Sequence, residues 1–154
     1  MKIITEKCKY DKTIKSLAKV ATKEMNLPKK SYIELDFVDK DEIKQINNDT
    51  RNVDKVTDVL SFPNLDGIFQ KEIKIEDFPF DVDPDTKMLN LGSIVMCVDK
   101  IYEQAEEYGT GEIREFSYLL THGILHILGY DHMEENDKVI MRAKEEEILR
   151  KLNV

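Results

Sequence analysis

Cysteine is scarce. Cys8 and Cys97 are the only two in 154 residues, too few for a disulfide framework, so a reducing cytoplasm is the expected location. No apolar run approaches the roughly 20 residues that a membrane helix needs, and no membrane contact is expected. The opening Met1-Lys2-Ile3-Ile4-Thr5-Glu6-Lys7 lacks the apolar stretch of a secretory signal and is not rich in Arg and Ser. A glycine-rich phosphate loop is missing, as is any internal repeat. What is present suffices for a core: 41% of residues are hydrophobic, with aromatic and branched side chains throughout. A single soluble domain is expected, not a disordered chain.

The formal net charge of −8 weighs against a nucleic-acid binder, because phosphate contacts need Lys and Arg. Its distribution weakens that objection. Residues 1–30 carry a net +6 and the remaining 124 residues a net −14, a basic segment on an acidic body. Within that segment, Lys12, Lys15, Lys19 and Lys23 recur at helical spacing opposite Ile14, Leu17, Ala18 and Ala21. They form a lysine ridge that is either a solvated helix face or a surface for RNA phosphates.

Hydrophobic periodicity predicts strands at Met1–Thr5, Ser31–Val38, Asp58–Phe62 and Leu89–Val98. It predicts helices at Asp11–Met25, from an Asp39 or Asp41 cap to about Asn48, and over 99–108, 112–128 and 136–152. Asn48 to Thr57, including Arg51, reads as a polar loop. Residues 64–87 read as irregular, with Glu76 to Asp85 an exposed acidic loop. The expected fold class is α+β: one compact domain over 1–154, with a small mostly antiparallel or mixed sheet of about four strands flanked by about five helices.

All three histidines fall within the eleven residues His122-Gly-Ile-Leu-His126-Ile-Leu-Gly-Tyr-Asp-His132. His122 and His126 are four apart and share a helix face. The flanking Phe116, Leu119, Leu120, Ile124, Leu125, Ile127 and Leu128 make that helix a buried one, where imidazoles need partners. Gly129 is a natural helix stop that lets His132 fold back. Three imidazoles so arranged form an open tetrahedral site for one Zn²⁺, with a fourth position where a water's pKa drops toward about 7. Cys8 and Cys97 are the alternative fourth ligands by type, although neither sits in a paired-ligand motif. The spacing matches one class of zinc proteases, but those carry a Glu general base directly after the first His, where this chain has Gly123. Gly123 also suggests open space beside the metal for a bulky phosphodiester.

The histidine motif resembles that of the YbeY family of bacterial endoribonucleases and rRNA maturation factors. Two further stretches agree: Asn48 to Arg51 with Asp54-Lys55 and Thr57-Asp58-Val59-Leu60-Ser61-Phe62-Pro63, and Leu91-Gly92-Ser93-Ile94-Val95-Met96-Cys97. Ser93 departs from the Asp common in the family. The resemblance covers about residues 30–150 and implies a metal-dependent hydrolase domain over 1–154 that cleaves single-stranded RNA. It implies processing of the 3′ end of small-subunit rRNA, ribosome maturation and quality control, and partners among the ribosome, ribosomal proteins or an assembly GTPase. It also implies zinc on His122, His126 and His132, with Arg51 and His122 as catalytic residues. Chemistry agrees for Arg51, because a guanidinium suits two-pronged contact with a phosphate gaining charge; the bland alternative is a surface salt bridge with Asp49 or Asp54. Asp131 either orients a ligand imidazole or forms a turn. Tyr130 and Ser61 are weaker candidates. Two other functions compete: a zinc protease or amidase, and a non-catalytic assembly factor whose zinc is structural.

Overall fold

A computed structural model describes all of residues 1–154. Its four strands are β1 (Lys2–Ile4), β2 (Ser31–Val38), β3 (Val59–Pro63) and β4 (Leu89–Cys97). Five helices accompany them: α1 (Asp11–Glu24), α2 (Lys40–Arg51), α3 (Val98–Tyr108), α4 (Glu112–Ile127) and α5 (Glu135–Leu152). The strands form one sheet in the order β1-β2-β4-β3. It is mixed: β1 pairs β2 and β2 pairs β4 in parallel, while β3 runs antiparallel on β4. No helix is long and apolar enough to cross a membrane.

Helix α4 sits in the main core. Phe116, Leu119, Leu120, Ile124, Leu125 and Ile127 pack there with residues of α1, β2, β4 and α5. A smaller cluster of Ile43, Leu60, Val95 and Cys97 carries α2. Strand β4 serves the main core along its whole length because its register shifts, leaving Leu91 unmatched between the Tyr32–Asn90 and Ile33–Gly92 pairs. The inserted residue changes the alternation, so Leu89 and Leu91 face the same core as Ile94 and Met96. Gly92 is required there: with φ +148° it brings its Cα close to β3, and a Cβ would meet the Phe62 carbonyl at 2.5 Å.

Helix α2 starts as expected, with a capping box in which Asp39 Oδ1 accepts from the Glu42 N–H at 2.9 Å. It ends later than the sequence suggests. Thr50 Oγ1 donates to the Ile46 carbonyl at 2.6 Å, Gln45 donates to Asp49 at 2.8 Å, and Asn52 closes the helix in the left-handed conformation. The polar residues from Asn48 onward thus bond within the helix, and Arg51 is its last residue, not part of a loop. The segment 64–87 is irregular as expected, with short 3-10 turns at Ile75–Asp77 and Pro79–Asp81. Its first half is nonetheless anchored, since Leu65, Ile68 and Ile73 are buried in the main core.

Candidate metal centre

The histidine helix ends in a Schellman turn: Gly129 N–H donates to the His126 carbonyl at 3.0 Å and Tyr130 N–H to the Leu125 carbonyl at 3.0 Å. Gly129 takes φ +90°, and Phe69 packs against it so closely that a Cβ would lie 3.1 Å from the Phe69 Cβ. The tightly reversed chain returns His132 over His126. His126 Nε2 lies 3.0 Å from His122 Nε2 and 3.1 Å from His132 Nδ1.

Two outer partners fix the rings. His122 Nδ1 donates to Glu145 Oε1 at 2.9 Å, and His126 Nδ1 donates to the Tyr130 carbonyl at 3.0 Å. A carboxylate and a carbonyl accept only, so both Nδ1 atoms carry the hydrogen and both Nε2 atoms present lone pairs. Two imidazole lone pairs 3.0 Å apart repel unless a cation lies between them. One candidate ligand atom from each of the three histidines falls within 4.8 Å of the others. Tetrahedral Zn–N bonds of about 2.0–2.1 Å put neighbouring nitrogens about 3.3 Å apart, so the cluster fits a metal ion. Burial lowers the His126 pKa from its ordinary 6.5 to about 4, and a charge there would also face His122 and His132. The ring therefore stays neutral and able to ligate at neutral pH.

The depressed pKa has a stability consequence. Between about pH 6.5 and pH 4 the unfolded chain protonates this ring and the folded one does not. The contribution is complete above 6.5 and is lost as pH falls toward 4. Calorimetry of the metal-free protein should show Tm dropping across that window, with a shallower drop in His126→Ala; equal slopes would remove His126 from the acid response.

The cluster opens on a cleft of about 440 Å³ whose walls include Arg51, Asp58, Ser61 and Met133. Arg51 is exposed and takes part in none of the ion pairs. The bridge to Asp49 or Asp54 therefore does not form. The return from α2 to β3 is pinned by the buried Asn47, whose amide donates to the Lys55 carbonyl at 3.0 Å.

Other expected site residues land differently. Asp131 accepts from the backbone N–H groups of His132 at 2.7 Å and Met133 at 3.3 Å, so it forms the turn and hydrogen-bonds to no imidazole. Tyr130 contributes its carbonyl, not its hydroxyl. Gly123 does not open space beside the cluster: a Cβ there would meet Ile94 Cδ1 at 3.0 Å and Ser61 Oγ at 3.2 Å. Its missing side chain lets α4 lie close on the sheet, and Ser61 Oγ donates to its carbonyl at 3.2 Å. Cys97 is buried in the α2 cluster and Cys8 lies beside Asp11, so neither joins the histidines. Ser93 does not line the cleft. The four ridge lysines are exposed on α1, unpaired with any acid and outside the cleft; Lys19 and Lys23 share a shallow depression with Lys151.

Glu145 is the residue that sequence reading missed. It is 4% exposed on α5, one helical turn from Met141 and Leu149 on the buried face. A carboxylate at a core position was the available signal, because such a group needs a specific partner. Its charge, after burial itself, helps push the neighbouring Tyr118 hydroxyl up to about 12.

The chain matches the sequence model of the family described as Endoribonuclease YbeY over residues 2–153. It is 50% identical over 135 residues to a Clostridium botulinum (strain Alaska E43) protein named Endoribonuclease YbeY, covering 85% of this chain and 80% of that protein. A Clostridium beijerinckii protein of the same name is 47% identical over 150 residues, 94% of this chain and 90% of the relative. The solution structure of a Thermotoga maritima protein has the same fold, with TM-score 0.59 and 24% identity over 98% of this chain and 87% of that one.

Proposed function

The chain belongs to the Endoribonuclease YbeY family, and from that premise we propose that residues 1–154 act as one zinc-dependent, single-strand-specific endoribonuclease domain. Its substrate on this reading is the 3′ end of small-subunit rRNA, processed in the cytoplasm during ribosome maturation and quality control. The ribosome, and ribosomal proteins or an assembly GTPase with it, are the partners. The observation that carries the reading is the convergence of imidazole lone pairs in an open cleft that also holds an unpaired arginine.

His122, His126 and His132 would hold the ion, and an all-imidazole set with an open position suits zinc. When bound, the metal supplies Lewis-acid polarisation of a phosphate oxygen. The protein's own part falls to named groups. Arg51 offers a planar fork of N–H donors to phosphate oxygens as they gain charge. His122 acts at the same centre, held in one tautomer by Glu145, while the Tyr130 carbonyl does the same for His126. Gly123 provides no general base, and a Cβ at that position would press on Ile94 Cδ1 at 3.0 Å and Ser61 Oγ at 3.2 Å, which works against the glutamate that peptide hydrolysis would need.

Lys12, Lys15, Lys19 and Lys23 are proposed to attract RNA backbone that the acidic remainder of the molecule repels. Replacing all four with Gln should leave zinc content unchanged and flatten the dependence of log affinity on log salt. Each lost single-strand phosphate contact should change that slope by about 0.7. An unchanged slope would make the ridge a solvated face.

The direct test of the function is a substrate comparison. Zinc-loaded protein is incubated with single-stranded RNA, duplex RNA and a casein-type peptide substrate. Cleavage of the single strand alone is the expected outcome; peptide cleavage, or no cleavage of any substrate, would overturn it.

A further inference from the structure

Strand β3 is the edge of the sheet beyond β4, and its outer side faces the histidine cleft. Its hydrogen-bond phase is fixed at both ends. Cys97 N–H donates to the Asp58 carbonyl at 2.8 Å and Asn64 N–H to the Leu91 carbonyl at 3.1 Å, with the register unbroken between them. In an antiparallel ladder the bonded residues alternate, so Leu60 and Phe62 turn their peptide groups toward β4. Val59, Ser61 and Pro63 turn theirs outward, and all three line the cleft with Arg51 and the histidines.

Both ends of this free edge are closed to a donor's use. The Val59 N–H is already taken by Asp58 Oδ1 at 2.7 Å, and Pro63 has no N–H. Ser61 alone keeps a free outward N–H, with its own carbonyl beside it. Its hydroxyl is turned away to the Gly123 carbonyl and does not compete. A single outward donor is too little for an extended peptide, which adds to an edge by exchanging N–H and C=O with successive alternate residues. A phosphate oxygen would accept from the N–H but be repelled by the adjacent carbonyls. A nucleobase edge carries donor and acceptor side by side, and in unpaired RNA that edge is free to bond.

We propose that the backbone N–H and C=O of Ser61 pair with the Watson–Crick edge of an unpaired nucleobase and so give the cleft its preference for single strands. The proposal rests on the endoribonuclease reading and assigns its specificity to a backbone position. Duplex RNA is excluded because its base edges are already paired.

Ser61→Pro removes the donor, and Pro63 two residues on already occupies an outward position of the same strand, so the backbone accommodates proline there. Ser61→Ala keeps the N–H and loses only the hydroxyl bond to Gly123. The readout is binding of a single-stranded 2′-O-methyl oligonucleotide by each zinc-loaded variant, with zinc content measured alongside. Ser61→Ala should bind like wild type, and Ser61→Pro should weaken by on the order of tenfold with zinc content unchanged. Equal affinity of the two variants, with wild-type cleavage intact, would overturn the base contact alone. A wild-type protein that binds no single-stranded RNA would overturn the endoribonuclease reading with it. Amide exchange of the wild type gives a second reading that needs no variant. Exchange at Ser61 should slow on adding the single strand; slowing by a peptide instead, or none with the oligonucleotide bound, would overturn the proposal.

Discussion

His126→Ala is expected to lose zinc binding and RNA cleavage together while the domain stays folded. His126 is the shared vertex of the cluster, 3.0 Å from His122 Nε2 and 3.1 Å from His132 Nδ1, so its loss leaves two ligand atoms without a common neighbour. Structural zinc sites bind with about 10–16 kcal/mol over four ligands, which makes one imidazole worth about 3 kcal/mol, or roughly a hundredfold or more in affinity. The fold should survive, because α4 is held by Phe116, Leu119, Leu120, Ile124, Leu125 and Ile127. The bond from His126 Nδ1 to the Tyr130 carbonyl is lost, at about 1 kcal/mol. Elemental analysis, circular dichroism and an RNA cleavage assay check the three statements separately. Normal zinc content in the variant would remove His126 from the ligand set, and an unfolded variant would favour a structural role for the metal.

Arg51→Ala is expected to leave Tm unchanged and lower the cleavage rate by on the order of 10²–10³, the usual loss for one preorganised electrostatic donor. The residue is exposed, makes no ion pair and occupies the last position of α2, so little of the fold depends on its side chain. Arg51→Lys should recover only part of the rate, since an ammonium cannot make the two-pronged contact. Wild-type cleavage by the alanine variant would leave Arg51 a surface residue.

The histidine cluster was legible in the sequence because its geometry is local. Two ligands follow from the four-residue spacing of a helix, and the third from a glycine turn whose bonds span at most five residues. The glutamate that orients His122 was not legible, because Glu145 reaches it from 23 residues away. On α5 it is followed in sequence by two other acids, Glu146 and Glu147, and only packing separates it from them. Arg51 was legible by type but not by its place on a helix, since the polar run from Asn48 reads as loop until its side-chain bonds to Ile46 and Gln45 are seen. The role of Gly123 was not legible for a related reason. A glycine beside a ligand suggests room, and only the approach of α4 to β3 and β4 shows that the side chains of Ser61 and Ile94 fill it. The free edge at Ser61 lay furthest out of reach, because it depends on which strand lies at the end of the sheet and on the register of β3 against β4.

The central claim is that RNA cleavage depends on one metal ion held by the three histidines. It is tested most directly by stripping the wild-type protein with a chelator and titrating zinc back while cleavage of a single-stranded RNA is followed. Activity should be absent at the start, rise in proportion to added zinc, and level off at one ion per chain. Full cleavage by the metal-free protein, in the continued presence of chelator, would contradict it.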